Sequence, residues 1–173
     1  LCAQTPPEEL YQLLHTVYGA FDSHLDAFGL YKVETIGDTF IVIGGLPGYQ
    51  SSSDHAFAVL MYAFHMIEEL AIIRTSHGIH VKIRVGIHTG KVAGSVPSLQ
   101  NPRYLLWGSC AVTAPALEGA CPVGAVHLSY ETYSALPLSK VGNLGIKLKE
   151  QPPHPKTEKL TAKTFTATVR SCA

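Results

Sequence analysis

Two short β-rich runs on either side of a Gly-Asp pair constrain the fold of this chain more than any other feature. The runs YKVETI (31–36) and TFIVIG (39–44) are rich in residues that favour strands. Gly37-Asp38 supplies the residue types that tight hairpin turns prefer. The segment therefore predicts an antiparallel hairpin that carries two acids, Glu34 in mid-strand and Asp38 in the turn.

Helical periodicity flanks this hairpin on both sides. Apolar residues recur at helical spacing over 10–28 before it and over 57–71 after it. Alternation over 81–87 predicts a strand, and residues 91–96 are expected to return beside that strand. The remaining predicted elements are a helix near 112–118, a strand at 125–128, a helix at 129–136 and a terminal strand at 164–169.

Helices that separate antiparallel strand pairs predict an α+β sandwich, in which the helices pack on one face of a mainly antiparallel, ferredoxin-like sheet. The 173 residues are 46% hydrophobic, which suits one globular core. We therefore expect a single domain over 1–173, with the proline-rich stretch 151–163 as a loop within it.

Composition excludes several classes of function. Thirteen basic residues balance thirteen acidic ones, so the chain offers no overall positive field to attract nucleic acid. Apolar runs stop well short of the ~20 residues that a membrane span needs. The four cysteines lack CxxC spacing, which favours reduced thiols. We interpret the chain as a cytoplasmic segment without membrane contact, and its start at Leu1 is compatible with a larger protein.

Each acid of the hairpin has two interpretations. On a regular strand Lys32, Glu34 and Ile36 share one face, so Glu34 faces either solvent or a pocket. In a pocket it needs a partner, and guanine offers adjacent N1–H and N2–H₂ donors that one carboxylate can accept together. The alternative is a solvated glutamate beside Lys32. Asp38, similarly, is either functional or a turn residue that bonds its local backbone.

Five blocks, in the same order and with similar spacing, resemble the catalytic domain of class III nucleotide cyclases, guanylate cyclases especially. They are YKVETIGD, GGLP, VKIRVGIHTGKV, PRYLLWG and HLSYETY, within about residues 5 to 136. The resemblance implies the cyclase sandwich fold and conversion of GTP to cGMP and pyrophosphate with two Mg²⁺ or Mn²⁺ ions, in cyclic-nucleotide signalling. It also implies a homodimer or heterodimer with a second cyclase domain, because the family shares its sites across a two-fold interface.

Three positions of the family pattern can be carried over to this chain. Glu34 matches the glutamate that reads guanine, and Asp38 matches an aspartate that binds the metal ions. Leu105 stands at the second base-reading position, where guanylate cyclases have Cys and adenylate cyclases have Asp.

Other positions depart from the pattern. Val112 and Ala116 replace the family's Asn and Arg, which orient the ribose and stabilise the phosphates. The block with the first metal aspartate should precede residue 1, and the family's phosphate-binding lysine corresponds to Lys147 or Lys149. Each lost donor costs about 10²–10³ in rate, so we expect the chain alone to be poorly active. The pattern resembles the metal-supplying half of a two-part cyclase.

Two other functions stay open at this point. The first is a catalytically degenerate cyclase homologue that acts as a dimerisation or nucleotide-sensing subunit. The second, a nucleic-acid-binding ferredoxin-like module, is disfavoured by the neutral charge and by the absence of an aromatic RNA-binding strand motif.

Overall fold

The computed structural model describes residues 6–46, 54–74, 78, 80–100 and 102–169. Within these ranges the chain forms five α-helices and eight strands. The helices are α1 (Pro7–Asp22), α2 (His55–Leu70), α3 (Ser109–Gly119), α4 (Tyr130–Ala135) and α5 (Leu138–Asn143). The strands are β1 (Leu30–Ile36), β2 (Thr39–Gly44), β3 (Val85–Ile87), β4 (Ala93–Ser95), β5 (Leu105–Trp107), β6 (Val126–Ser129), β7 (Ile146–Gln151) and β8 (Thr164–Val169).

The strands form one four-stranded sheet and two hairpin ribbons. The sheet has the order β3-β6-β8-β7, in which only the β3–β6 pair is parallel. The β1–β2 and β4–β5 ribbons are both antiparallel. The α+β class with mainly antiparallel pairing is therefore confirmed.

Helix α2 lies at the centre of the hydrophobic core and packs against β2, β3 and β6. Its buried residues are Ala56, Leu60, Tyr62, Ala63, Phe64, Met66 and Leu70. The Tyr62 hydroxyl donates a hydrogen bond of 2.9 Å to the carbonyl of Phe21, which satisfies its polar atom inside the core. The buried set is wider than one helical stripe, because β2, β3 and β6 together with α1 and α4 pack around this helix.

The first predicted helix ends earlier than its apolar spacing indicated. Helix α1 stops at Asp22, where the Ser23 hydroxyl donates to the carbonyl of Ala20 over 2.8 Å. A turn and a short 3₁₀ helix, Asp26–Phe28, follow. Leu25 is nevertheless buried, so the helical spacing beyond residue 22 reflects core contacts made from a turn.

The prediction that residues 91–96 return beside the strand at 81–87 was wrong. The strand is only Val85–Ile87, and β4 pairs with β5 instead. Residues just after β3 are held elsewhere, because Thr89 donates a hydrogen bond to the Thr132 hydroxyl in α4. Helix α3 covers β3 at Gly86, where a Cβ atom would lie 2.3 Å from the carbonyl of Ala114.

The last third of the chain contains an element that the sequence pattern had not predicted. Strand β7 lies at the edge of the sheet and pairs along its whole length with β8, which occupies the predicted 164–169. Its sequence gives only a weak strand signal, because half of its residues are charged and exposed and few are apolar. None of the described helices combines the length and the apolar character that crossing a membrane requires.

Candidate functional site

The β1–β2 turn holds Asp38 at the exposed tip of a ribbon. Gly37 precedes it with φ of +60°, a conformation that favours glycine, whereas the φ of Asp38 is not positive. A two-residue hairpin turn with a positive φ only at its first residue is of type II′. The Tyr18 hydroxyl of α1 donates a hydrogen bond of 3.0 Å to the carbonyl of Gly37. The turn is therefore tied to the first helix, and the Asp38 side chain is exposed.

A β-bulge at Val33 inverts the expected arrangement of side chains on β1. Lys32 pairs with Val42, whereas Glu34 pairs with Ile41, so one extra residue lies between two consecutive pairs. Adjacent residues of β2 point to opposite faces. The prediction that Lys32 and Glu34 share a face was therefore wrong, because an inserted residue shifts the period-two alternation.

Lys32 has its own partners on the face of the ribbon that packs towards α1. Its Nζ atom lies 2.7 Å from Oδ2 of Asp22 and 5.0 Å from the centre of the Phe40 ring. Lys32 is therefore not beside Glu34, and the interpretation of Glu34 as a solvated glutamate next to Lys32 does not apply.

Glu34 lies on the other face of the ribbon, together with Tyr31. Both are paired with residues of β2 that share a face, Ile41 for Glu34 and Ile43 for Tyr31. The Tyr31 ring meets the Tyr104 ring edge to face, with 5.9 Å between the ring centres. Glu34 is half-buried, and no hydrogen bond or ion pair joins its side chain to another part of the described chain.

Leu105 begins strand β5 directly after Tyr104, so the aromatic contact brings its strand towards the face that carries Glu34. It pairs with Ser95 of β4 and is half-buried. An aliphatic side chain at this place can pack against a flat ring, but it cannot form a hydrogen bond with one.

Val112 and Ala116 lie one turn apart on α3 and share one of its faces. Val112 is 60% exposed, and Ala116 is half-buried. Neither side chain can donate a hydrogen bond to a phosphate or a ribose. Helix α3 is still firmly anchored, because Nδ1 of the buried His127 donates to the carbonyl of Leu117 over 3.0 Å.

The described residues do not by themselves form a site for two metal ions around Asp38. An exposed carboxylate is a suitable single ligand for Mg²⁺ or Mn²⁺. However, Asp38 does not belong to any described group of three or more side chains that could hold a metal ion. Lys147 and Lys149 are both exposed on β7, which packs against β8 and α5.

His88 belongs to a partly buried polar network that connects β3 to the start of α4. Its Nδ1 atom lies 2.9 Å from the Ser129 hydroxyl and 3.7 Å from Oε2 of Glu131. The Ser129 hydroxyl also accepts a bond from the backbone N–H of Thr132 and caps α4. Burial lowers the pKa of His88, although the Glu131 carboxylate acts in the opposite direction. These contacts give His88 a structural role.

Comparison with known proteins identifies the family of this chain. The family described as "Adenylate and Guanylate cyclase catalytic domain" matches residues 1–163. "Atrial natriuretic peptide receptor 2" of Homo sapiens is 36% identical over 138 residues, which are 79% of this chain and 13% of that protein. "Guanylate cyclase soluble subunit alpha-1" of Rattus norvegicus is 33% identical over 136 residues, 79% of this chain and 19% of that protein. The chain thus spans a small part of the curated relatives it matches.

Solved structures agree with this placement. The guanylate cyclase domain of RhGC from Catenaria anguillulae, in complex with GTP, superimposes with a TM-score of 0.83 at 26% identity. That match covers 98% of this chain and 88% of the other. The adenylyl cyclase CyaB from P. aeruginosa shares the fold, with a TM-score of 0.77 at 20% identity over 99% of this chain and 88% of the other. Since the family match spans nearly the whole sequence, this chain belongs to the adenylate and guanylate cyclase catalytic domains.

Proposed function

We propose that this domain reads guanine with Glu34 and forms one half of a composite site that converts GTP to cGMP and pyrophosphate. The observation that carries the proposal is the half-buried Glu34 carboxylate, which has no side-chain partner in the described chain. Such a carboxylate gains most from a ligand with two adjacent N–H donors, because charge-assisted bonds are the stronger ones. Guanine offers that pair on one edge and adenine does not.

The other half of the site has to come from a second cyclase domain. Val112 and Ala116 cannot stabilise charge on a phosphate, so two copies of this chain would lack the same donors twice. We therefore favour a heterodimer, in which the partner supplies the Asn and Arg groups. One relative is itself named as a subunit of a soluble guanylate cyclase.

Asp38 is proposed as one ligand of a divalent ion, Mg²⁺ or Mn²⁺, that would neutralise the triphosphate of the bound nucleotide. Leu105 is proposed to pack against the base beside Glu34. Because relatives include a natriuretic peptide receptor and a protein named "Guanylyl cyclase, membrane", we also propose that the domain is the cytoplasmic part of a larger protein.

A second function is favoured by one observation, the aliphatic surface that Val112 and Ala116 give to α3. Exposed valine in place of a hydrogen-bonding group is compatible with a domain that binds nucleotide or a partner domain without catalysis. In that case the chain is a dimerisation or nucleotide-sensing subunit.

The decisive experiment mixes the purified chain with a cyclase domain that retains the family's Asn and Arg, and measures cGMP and cAMP formation with Mn²⁺. The wild-type mixture is expected to prefer GTP. Glu34→Lys replaces two charge-assisted bonds to guanine by a repulsive ammonium group. We therefore expect it to lower the preference for GTP over ATP by about 10²-fold or more. The matched control, Thr35→Lys, places the same charge on the opposite face of the ribbon and should preserve the preference.

Two results separate the candidates. An unchanged GTP to ATP ratio in Glu34→Lys would remove Glu34 from the base pocket. Selective GTP binding without cGMP from any partner mixture would favour the nucleotide-sensing subunit instead.

A further inference from the structure

Three side chains with metal-binding atoms lie close together where the end of α1 meets α2. They are not part of the proposed nucleotide site. His24 follows α1, while His65 and Glu69 lie one turn apart on α2. One ligand atom from each lies within 4.8 Å of the other two. Within the described ranges, this is the group of three His, Cys, Asp or Glu side chains whose positions suit a metal ion.

The hydrogen bonds of His24 fix which of its nitrogens can bind a metal. Its Nδ1 atom lies 3.1 Å from the carbonyl of Ala20 and 2.9 Å from the Ser23 hydroxyl. The Ser23 hydroxyl already donates its hydrogen to the Ala20 carbonyl, so both neighbours accept from His24. Nδ1 therefore carries the hydrogen, and the lone pair is on Nε2, as in metal-binding histidines oriented by a backbone carbonyl.

His65 presents a buried nitrogen without a hydrogen-bond partner. Its Nε2 atom is shielded from solvent and lies 3.9 Å from Oε1 of Glu69, too far for a hydrogen bond. A buried polar atom normally has a partner, and an unpaired one is costly. A cation between His65 and Glu69 would satisfy this nitrogen and the carboxylate together.

The spacing suits a small transition-metal ion. Three atoms 4.8 Å apart at most have a common centre within about 2.8 Å of each, and zinc ligands lie at about 2.0–2.2 Å. Small side-chain rotations that move each ligand atom by less than about 1 Å would bring all three within zinc-binding distance of that centre. The two imidazole rings already contact each other, with 4.3 Å between their centres, and Phe28 packs against His65 at 5.6 Å.

We propose that His24, His65 and Glu69 bind a zinc-class transition-metal ion through two imidazole nitrogens and one carboxylate oxygen, with water in the fourth position. Imidazole ligands select such metals over Mg²⁺ and Ca²⁺, which prefer oxygen. The ion would clamp the segment after α1 to the central helix of the core. This site is independent of the proposed nucleotide chemistry.

The test is a zinc titration of the untagged, chelator-treated chain, followed by calorimetry and thermal unfolding. We expect one equivalent of Zn²⁺ to bind and to raise Tm by about 5–10 °C at a free concentration 100 times Kd. Co²⁺ in place of Zn²⁺ should give the visible absorption of a four-coordinate ion. His24→Ala, His65→Gln and Glu69→Gln each remove a ligand, so each should weaken binding by at least the roughly 10–100-fold that loss of an outer-shell partner costs.

The matched controls are Glu68→Gln, on the same helix one residue earlier, and His15→Ala, an exposed histidine of α1. Both should bind Zn²⁺ as the wild type does. Glu69→Gln keeps the size and helix propensity of the side chain, so it remains decisive if a histidine variant does not fold. Absence of binding at about 100 μM free Zn²⁺ would overturn the proposal, and so would equal affinity in Glu69→Gln and the controls.

Discussion

The β1–β2 ribbon and helix α3 are both elements of the candidate nucleotide site, yet they differ in what they retain. The ribbon carries two acids at positions that match the family pattern, Glu34 and Asp38. Helix α3 carries Val112 and Ala116 where the family has hydrogen-bond donors, although its packing on β3 and β6 is intact. In the proposed site, recognition of the base and stabilisation of the phosphates belong to separate elements, so the groups for one can be replaced while the fold persists.

The largest expected effect concerns the groups that α3 has lost. With a partner that supplies Asn and Arg, cGMP formation should exceed that of this chain alone by about 10⁴-fold, because two transition-state donors are restored. The measurement is a cGMP assay at fixed Mn²⁺ and GTP. A partner with both donors replaced by Val and Ala is the control and should give no gain. Equal turnover with and without the intact partner would show that this chain does not depend on donors from outside.

Asp38 tests the ribbon side of the comparison. Asp38→Asn removes the charge but keeps the turn residue type, so it should abolish the dependence of nucleotide affinity on Mg²⁺ or Mn²⁺. Titration calorimetry of a GTP analogue with and without metal measures the effect. Glu158→Gln, at an exposed position outside the strands and helices, should behave as wild type. Unaltered metal dependence in Asp38→Asn would leave Asp38 as a turn residue only.

The bond between α1 and the turn offers a smaller effect. Tyr18→Phe removes the hydroxyl that donates to the carbonyl of Gly37. We expect it to lower the free energy of unfolding by about 1 kcal/mol, the usual size for one hydrogen bond, in urea denaturation. Tyr11→Phe, a 69% exposed tyrosine of the same helix, is the control with little expected change. Equal stabilities of the two variants would show that the turn does not need its anchor.

The smallest expected effect is a difference between α3 and the β1–β2 ribbon in how their stability depends on pH. Burial lowers the pKa of His88 and of His127 below the ordinary value of 6.5, so the unfolded state binds more protons. The free energy of unfolding should therefore be at its full value above pH 6.5 and should fall as the pH drops below it. Hydrogen exchange should show that this loss reaches α3, which His127 anchors, before it reaches the ribbon. His127→Gln should reduce the dependence, and His15→Gln should leave it unchanged; faster exchange in the ribbon first would contradict the assignment.

Residue patterns were sufficient to predict the hairpin, the terminal strand and the α+β class. The hairpin rests on local physics, since a glycine turn between β-favouring runs depends on residues close in sequence. Strand β7 and the partner of β4 could not be predicted in the same way. Both depend on which distant strand offers free backbone groups, and that is settled only when the core has formed.

By itself the sequence determined that this chain carries Glu34 and Asp38 on a hairpin, that Val112 and Ala116 cannot act as donors, and that the blocks match a cyclase domain. The tertiary structure decided which way Glu34 faces. Alternation along a strand is a local rule, and the bulge at Val33 reverses it through pairing with β2. The convergence of His24 with His65 and Glu69 was likewise decided by the packing of the α1 end on α2, because contacts between distant segments follow from the core and leave no local pattern.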